Sequence, residues 1–185
     1  YHGQPAIHGI QLLSSIILQN FMPIDIPDRD DFVDLNAMDE TSRRKFTGHG
    51  KYSDPILGRL EGSFEGGDLV EGKMITDDGW IHEGTFDTET AWVIEGKVIS
   101  PDGWIREGIF DIADTGRLIK GKETLPDEWT YEGTFDTDTM VLIEGKRTSP
   151  EGWIHEGTFD RNTGFLIEGS LTFPDGRVEH YKKEE

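Results

Sequence analysis

The chain has 185 residues, with 18 Lys and Arg set against 37 Asp and Glu, a formal charge of -19. A field of that sign repels phosphate backbones and anionic headgroups, screened over about 8 Å at physiological salt, so nucleic acid is rejected as a partner and a membrane surface is disfavoured. The absence of cysteine excludes a disulfide framework and thiolate metal sites, while 23 glycines and five tryptophans set the chain apart from a disordered acidic tail.

Residues 5–21, "PAIHGIQLLSSIILQNF", place Ile7, Ile10, Leu13, Ile17 and Phe21 at helical spacing, with Leu12 and Ile16 widening the stripe. An amphipathic helix is expected, with two roles open to it: capping the remainder of the fold, or docking on a partner. His8, Gln11, Ser14, Ser15 and Gln19 interrupt it too often for a membrane span, and it has neither the basic start nor the cleavage site of a secretory signal. Because the chain starts at Tyr1 rather than Met, an upstream segment is expected, and any address it carried is not visible. Cytoplasm is the default compartment, with an organelle or a virion left open. Residues 22–40 form an acidic, proline-marked connection, with a short helix expected near Met38–Lys45.

From residue 46 the chain repeats. Gly50, Gly62, Gly72, Gly84, Gly96, Gly108, Gly121, Gly133, Gly145, Gly157 and Gly169 recur at a step of about 12, and Trp80, Trp104, Trp129 and Trp153 at about twice that, so a unit holds two similar halves. The first halves, "WIHEGTF", "WIREGIF", "WTYEGTF" and "WIHEGTF", are rich in β-branched and aromatic residues. The second halves, "VIEGKVIS", "LIKGKETL", "LIEGKRTS" and "LIEGSLTF", read the same way. "DTETAW", "DIADTGR", "DTDTMV" and "DRNTGF" separate them on one side and "PDG", "PDE", "PEG" and "PDG" on the other, all turn chemistry. The expected fold is all-β: a single-layer, twisted antiparallel meander of about eleven or twelve strands over 46–181, preceded by a helix and acidic linker at 1–45 and followed by a charged tail at 182–185.

Glycine and charge together predict the register. Pairing Gly84 with Gly96 sets Glu83 opposite Lys97, and pairing Gly96 with Gly108 sets Lys97 opposite Glu107. All the repeat glycines then form one line, walled on that face by Trp80, His82, Phe86, Ile94 and Val98, while Ile81, Glu83, Thr85, Glu95 and Lys97 lie on the other.

This pattern resembles the MORN repeat through "YEGTF" at 131–135, "HEGTF" at 82–86 and 155–159, "EGSF" at 61–64, and the closing Gly79, Gly103, Gly152 and Gly176. The resemblance covers roughly 46–181, with "FTGHGKY" at 46–52 similar to the second half of a unit. His82, Arg106 and His155 stand where the family usually has Tyr, and Ile94, Ile119, Ile143 and Ile167 where it has the first glycine of G-x-G. The third unit ends "PDEW" without its turn glycine. The resemblance implies a hairpin-repeat sheet that binds proteins or lipids and is not itself an enzyme.

No catalytic, cofactor or metal site is expected. His82 and Glu83 are adjacent in a strand and point to opposite faces, as do His155 and Glu156. Glu71, Glu83, Glu95, Glu107, Glu132, Glu144, Glu156 and Glu168 alternate with lysines as a solvated ladder rather than converging as a carboxylate pair. The "DTET" and "DTDT" turns lack the central Gly and terminal Glu of a calcium loop. The expected function is a non-catalytic interaction or scaffold module within a larger assembly, self-association being open. The alternatives are a lipid-associated adaptor, which the lack of Lys/Arg clusters in the repeats opposes, or an acidic decoy that neutralises a basic partner. Candidate partner-binding residues are Ile7, Ile10, Leu13, Ile17 and Phe21 on the helix and Trp80, Trp104, Trp129 and Trp153 on the sheet. The tryptophans are expected to be mainly structural, which places partner binding on the helix and at the array's ends.

Overall fold

The computed structural model describes residues 32–113 and 116–183. The helix expected at 5–21 lies outside them, as do Ile7, Ile10, Leu13, Ile17 and Phe21. The chain forms one 13-stranded sheet whose spatial order follows the sequence. A two-residue strand β1 (Val33–Asp34) leads into a 3-10 turn (Leu35–Ala37) and a single helical turn (Glu40–Arg43). Then come β2 (Gly48–Asp54), β3 (Gly58–Glu65), β4 (Asp68–Ile75), β5 (Ile81–Phe86), β6 (Val93–Ile99) and β7 (Ile105–Phe110). The sheet continues through β8 (Leu118–Thr124), β9 (Thr130–Phe135), β10 (Leu142–Thr148), β11 (Ile154–Phe159), β12 (Leu166–Thr172) and β13 (Val178–Lys182). The antiparallel meander runs from β2 to β13, whereas β1 pairs in parallel with β2. The sheet therefore begins before residue 46, and Lys182 belongs to its last strand rather than to a tail.

The predicted register holds. Gly84 faces Gly96, Gly96 faces Gly108, Glu83 faces Lys97 and Lys97 faces Glu107. The glycine line exists because alternate strand pairs pinch together there. A Cβ on Gly96, whose φ is 151°, would sit on the carbonyl oxygen of Glu83 and 2.7 Å from the Gly84 Cα. Both the close backbone approach and the dihedral require glycine.

One facing assignment is corrected. Thr85 pairs with Glu95 but Phe86 pairs with Val93, so Ile94 is the extra residue of a β-bulge. Val93 is thereby turned onto the glycine face and buried, while Ile94 is only half-buried. The same bulge recurs in β4, β8, β10 and β12, putting Leu69, Leu118, Leu142 and Leu166 opposite Phe64, Phe110, Phe135 and Phe159. These Phe–aliphatic cross-strand pairs are the core of each hairpin. Every one of these phenylalanines is at most 4% exposed.

The loop from Asp111 to Arg117 is one residue longer than its counterparts from Asp87 to Trp92 and Asp136 to Val141, which explains the step of 13 between Gly108 and Gly121. The shorter step from Gly62 to Gly72 comes from the tight turn through Gly66 and Gly67, at φ 59° and 91°. At the N-terminal end Leu35 is fully buried, and Phe46 packs edge-on against Phe64 with ring centroids 6.2 Å apart. Residues 32–46 thus cover the first hairpin.

Candidate interaction surface

Each repeat tryptophan is placed by the turn before it. The hydroxyls of Thr76, Ser100 and Ser149 accept the backbone N–H of Trp80, Trp104 and Trp153 at 3.0, 2.9 and 3.2 Å. In the third unit Leu125 replaces the hydroxyl, and Asp127 accepts from Trp129 at 3.5 Å instead. Glu128 takes the turn glycine's place at φ 69°, a left-handed conformation that a non-glycine residue adopts at some cost. The tryptophans therefore keep one position across the array despite these departures.

That position is at the margin of the core. Trp80 packs against the buried cluster, but Trp104 and Trp153 are 39% and 37% exposed. The phenylalanine pairs carry the burial, and the indoles form a rim.

Between the rim and the glycine line runs a row two residues from each glycine. In register it reads Leu60, Met74, His82, Val98, Arg106, Glu123, Tyr131, Arg147, His155 and Leu171. Leu60, Met74 and Val98 are buried. Glu123, only 8% exposed, accepts from Arg106 Nε at 2.7 Å. Arg147 Nε donates to His155 Nδ1 at 2.6 Å, and its Nη1 donates to the Gly164 carbonyl at 3.0 Å. Burial lowers the pKa of His82, Asp78 partly opposing it. Burial also lowers that of His155, with the Arg147 charge adding to the effect. The Tyr131 phenol is raised by burial, and Arg147 is lowered by the same cause. Rings line the row: Trp129 stacks on Tyr131 with centroids 6.3 Å apart, and the Arg106 and Arg147 guanidinium carbons lie 5.5 and 5.4 Å from the Trp104 and Phe159 ring centres.

The other face carries the Lys–Glu ladder. Lys73 meets Glu83 at 2.8 Å, Lys97 meets Glu107 at 3.1 Å and Lys146 meets Glu132 at 3.8 Å. His82 faces Met74 and Val98 while Glu83 faces Lys73 and Lys97, so the two diverge. In the acidic turns, Asp87, Asp136 and Asp160 each accept from the backbone N–H and hydroxyl of the threonine three residues on. These bonds hold the three carboxyls below the usual aspartate range. Among the described residues no group of three or more His, Asp or Glu could hold a metal ion. None of their helices is long and apolar enough to cross a membrane.

The sequence repeat marks the tryptophan rim and sets His82, Arg106, Tyr131 and His155 at equivalent positions, but leaves Glu123 and Arg147, which complete their row, unnoticed. The signal is nevertheless present: each of these lies two residues from a repeat glycine. No family model matches the chain, and no curated protein gives a significant match.

Proposed function

We propose that this chain is a non-catalytic protein-interaction module built from MORN-like hairpin repeats. Its aromatic-rimmed trough receives a segment of a protein partner within a larger assembly. The supporting observation is the tryptophan rim: rings held at one position by their turns, with Trp104 and Trp153 more than a third exposed beside a core that phenylalanine pairs already fill. Exposed, rigidly held aromatic rings next to arginine are the composition of binding hot spots. The test is affinity capture on the full chain and on a Trp104→Ala, Trp153→Ala double variant, with captured proteins identified by mass. A partner retained by the full chain and lost by the folded double variant supports the reading. A partner retained equally by both places recognition elsewhere.

A further inference from the structure

In a chain with 37 acidic and 18 basic residues, a cation on the sheet has carboxylates within easy reach. Arg106 pairs with Glu123, and Arg161 with Asp136 at 2.9 Å. Arg147 occupies the same row as Arg106, yet its cross-strand neighbours are Tyr131 and His155, and no carboxylate lies within ion-pair distance among the described residues. Its Nε and Nη1 are used by His155 and the Gly164 carbonyl, which leaves Nη2 without a protein acceptor among the described residues. Because Arg147 donates to Nδ1 of His155, that nitrogen is unprotonated and the neutral ring carries its proton on Nε2, so the histidine orients the guanidinium without adding charge. An arginine stays charged in proteins, so this half-buried guanidinium, over the Phe159 ring, keeps a charge that no carboxylate among the described residues meets, and a ligand oxygen brought to it makes a charge-assisted hydrogen bond.

Resting on the proposed trough function, the geometry points to an anion subsite at Arg147, held in place by His155 and the Gly164 carbonyl beside Phe159, that takes a carboxylate of the bound protein segment. Arg106 cannot serve this way, because Glu123 already neutralises it. The carboxylate source is an acidic side chain or a chain terminus, and both present the same two oxygens to the guanidinium fork.

The experiment uses the full chain and three extended heptapeptides, each with an aromatic residue next to the central position. One has a central Glu and an amidated end, one has Gln in its place, and one has Gln with a free terminal carboxylate. Binding is followed by the NMR shifts of the tryptophan indole N–H groups. A carboxylate peptide should perturb the rim indoles and bind about tenfold more tightly than the amidated Gln peptide. Which of the two carboxylate peptides shows the preference identifies the source. Arg147→Gln should abolish that preference, so that the three peptides bind alike. If Arg147→Gln does not fold, Arg147→Lys and His155→Gln each test the same point and should reduce the preference. Equal binding of all three peptides, or a preference that survives Arg147→Gln, overturns the subsite while sparing the trough. Absence of any indole shift with every peptide overturns both.

Discussion

From β3 to β6 the row beside the glycines holds Leu60, Met74 and Val98, all buried, with His82 among them, whereas from β7 to β11 it holds Arg106, Glu123, Tyr131, Arg147 and His155. The ends differ in the same sense. Leu35 and Phe46 cover the first hairpin, but every residue of β13 is exposed and Phe165, in the loop between β11 and β12, is 71% exposed. The two halves share glycines, bulges and phenylalanine pairs, so one backbone supports two kinds of floor. Because the phenylalanine pairs already hold each hairpin, the floor is free to vary: apolar through β6 and polar from β7 to β11.

If the core is common to both halves, emptying it should cost the same in each. Phe86→Ala and Phe159→Ala should each destabilise by about 3–5 kcal/mol in urea titrations, since both rings are 4% exposed. Costs that differ by more than about 2 kcal/mol would break the claim of a shared core. The polar floor sharpens the contrast at the next size down. Glu123→Ala strands Arg106 and should cost about 2–3 kcal/mol, while Arg147→Gln, which removes no ion pair, should cost about 1 kcal/mol or less. Similar costs for the two would mean that Glu123 does not compensate Arg106. Trp104→Ala comes next, at about 1–2 kcal/mol, because a ring 39% exposed recovers only part of the value of full burial. A larger loss would return the rim to the core.

Register was legible before the structure because two independent signals agreed on it. Glycine spacing and the Glu–Lys alternation each specify Gly84 opposite Gly96. The bulge was not legible, because "VIEG" reads as ordinary strand alternation and nothing local distinguishes Val93 from Ile94 as the inward residue. Tryptophan exposure was hidden for a related reason. A period of about 24 residues says that the rings are equivalent, but only the turn geometry and the phenylalanine pairs decide whether equivalent positions lie inside the core or at its edge. The Arg147 subsite depends on which groups are missing around one guanidinium, and a repeat alignment does not display that.

Acid should act on the trough through its histidines. His82 and His155 both have folded pKa values below the ordinary 6.5, chiefly from burial, so below that pH the unfolded chain binds more protons than the folded one. Their contribution is complete above 6.5 and is lost as pH falls through 6.5 towards the lowered folded values. The melting temperature should therefore decline between about pH 7 and pH 5.5, and His82→Leu should flatten the decline. A melting temperature that rises over this window contradicts the burial of both rings. The turn aspartates act in a separate window: their lowered values mean that they withdraw support only as pH falls below the ordinary 3.8.

The smallest effect belongs to the charged face, where Lys51, Glu61, Lys73, Glu83, Lys97, Glu107, Lys122, Glu132, Lys146 and Glu156 alternate across the strands until Ser170 ends the series. Lys97 and Glu107 are 36% and 39% exposed at their side chains, so solvent screens the pair and Lys97→Ala should cost only about 0.2–0.5 kcal/mol. Glu107→Lys is harsher, since it removes two attractions and sets like charges against Lys97 and Lys122, for about 1 kcal/mol at low salt. That cost should shrink in about 1 M NaCl, where the Debye length is near 3 Å. A cost indifferent to salt would point to packing rather than charge. Neither substitution should shift the strands, because a one-residue slip would bring a Cβ onto the pinched backbone at every glycine pair. The ladder therefore reinforces a register that the glycines already impose, and its loss should lower stability without moving a single pairing.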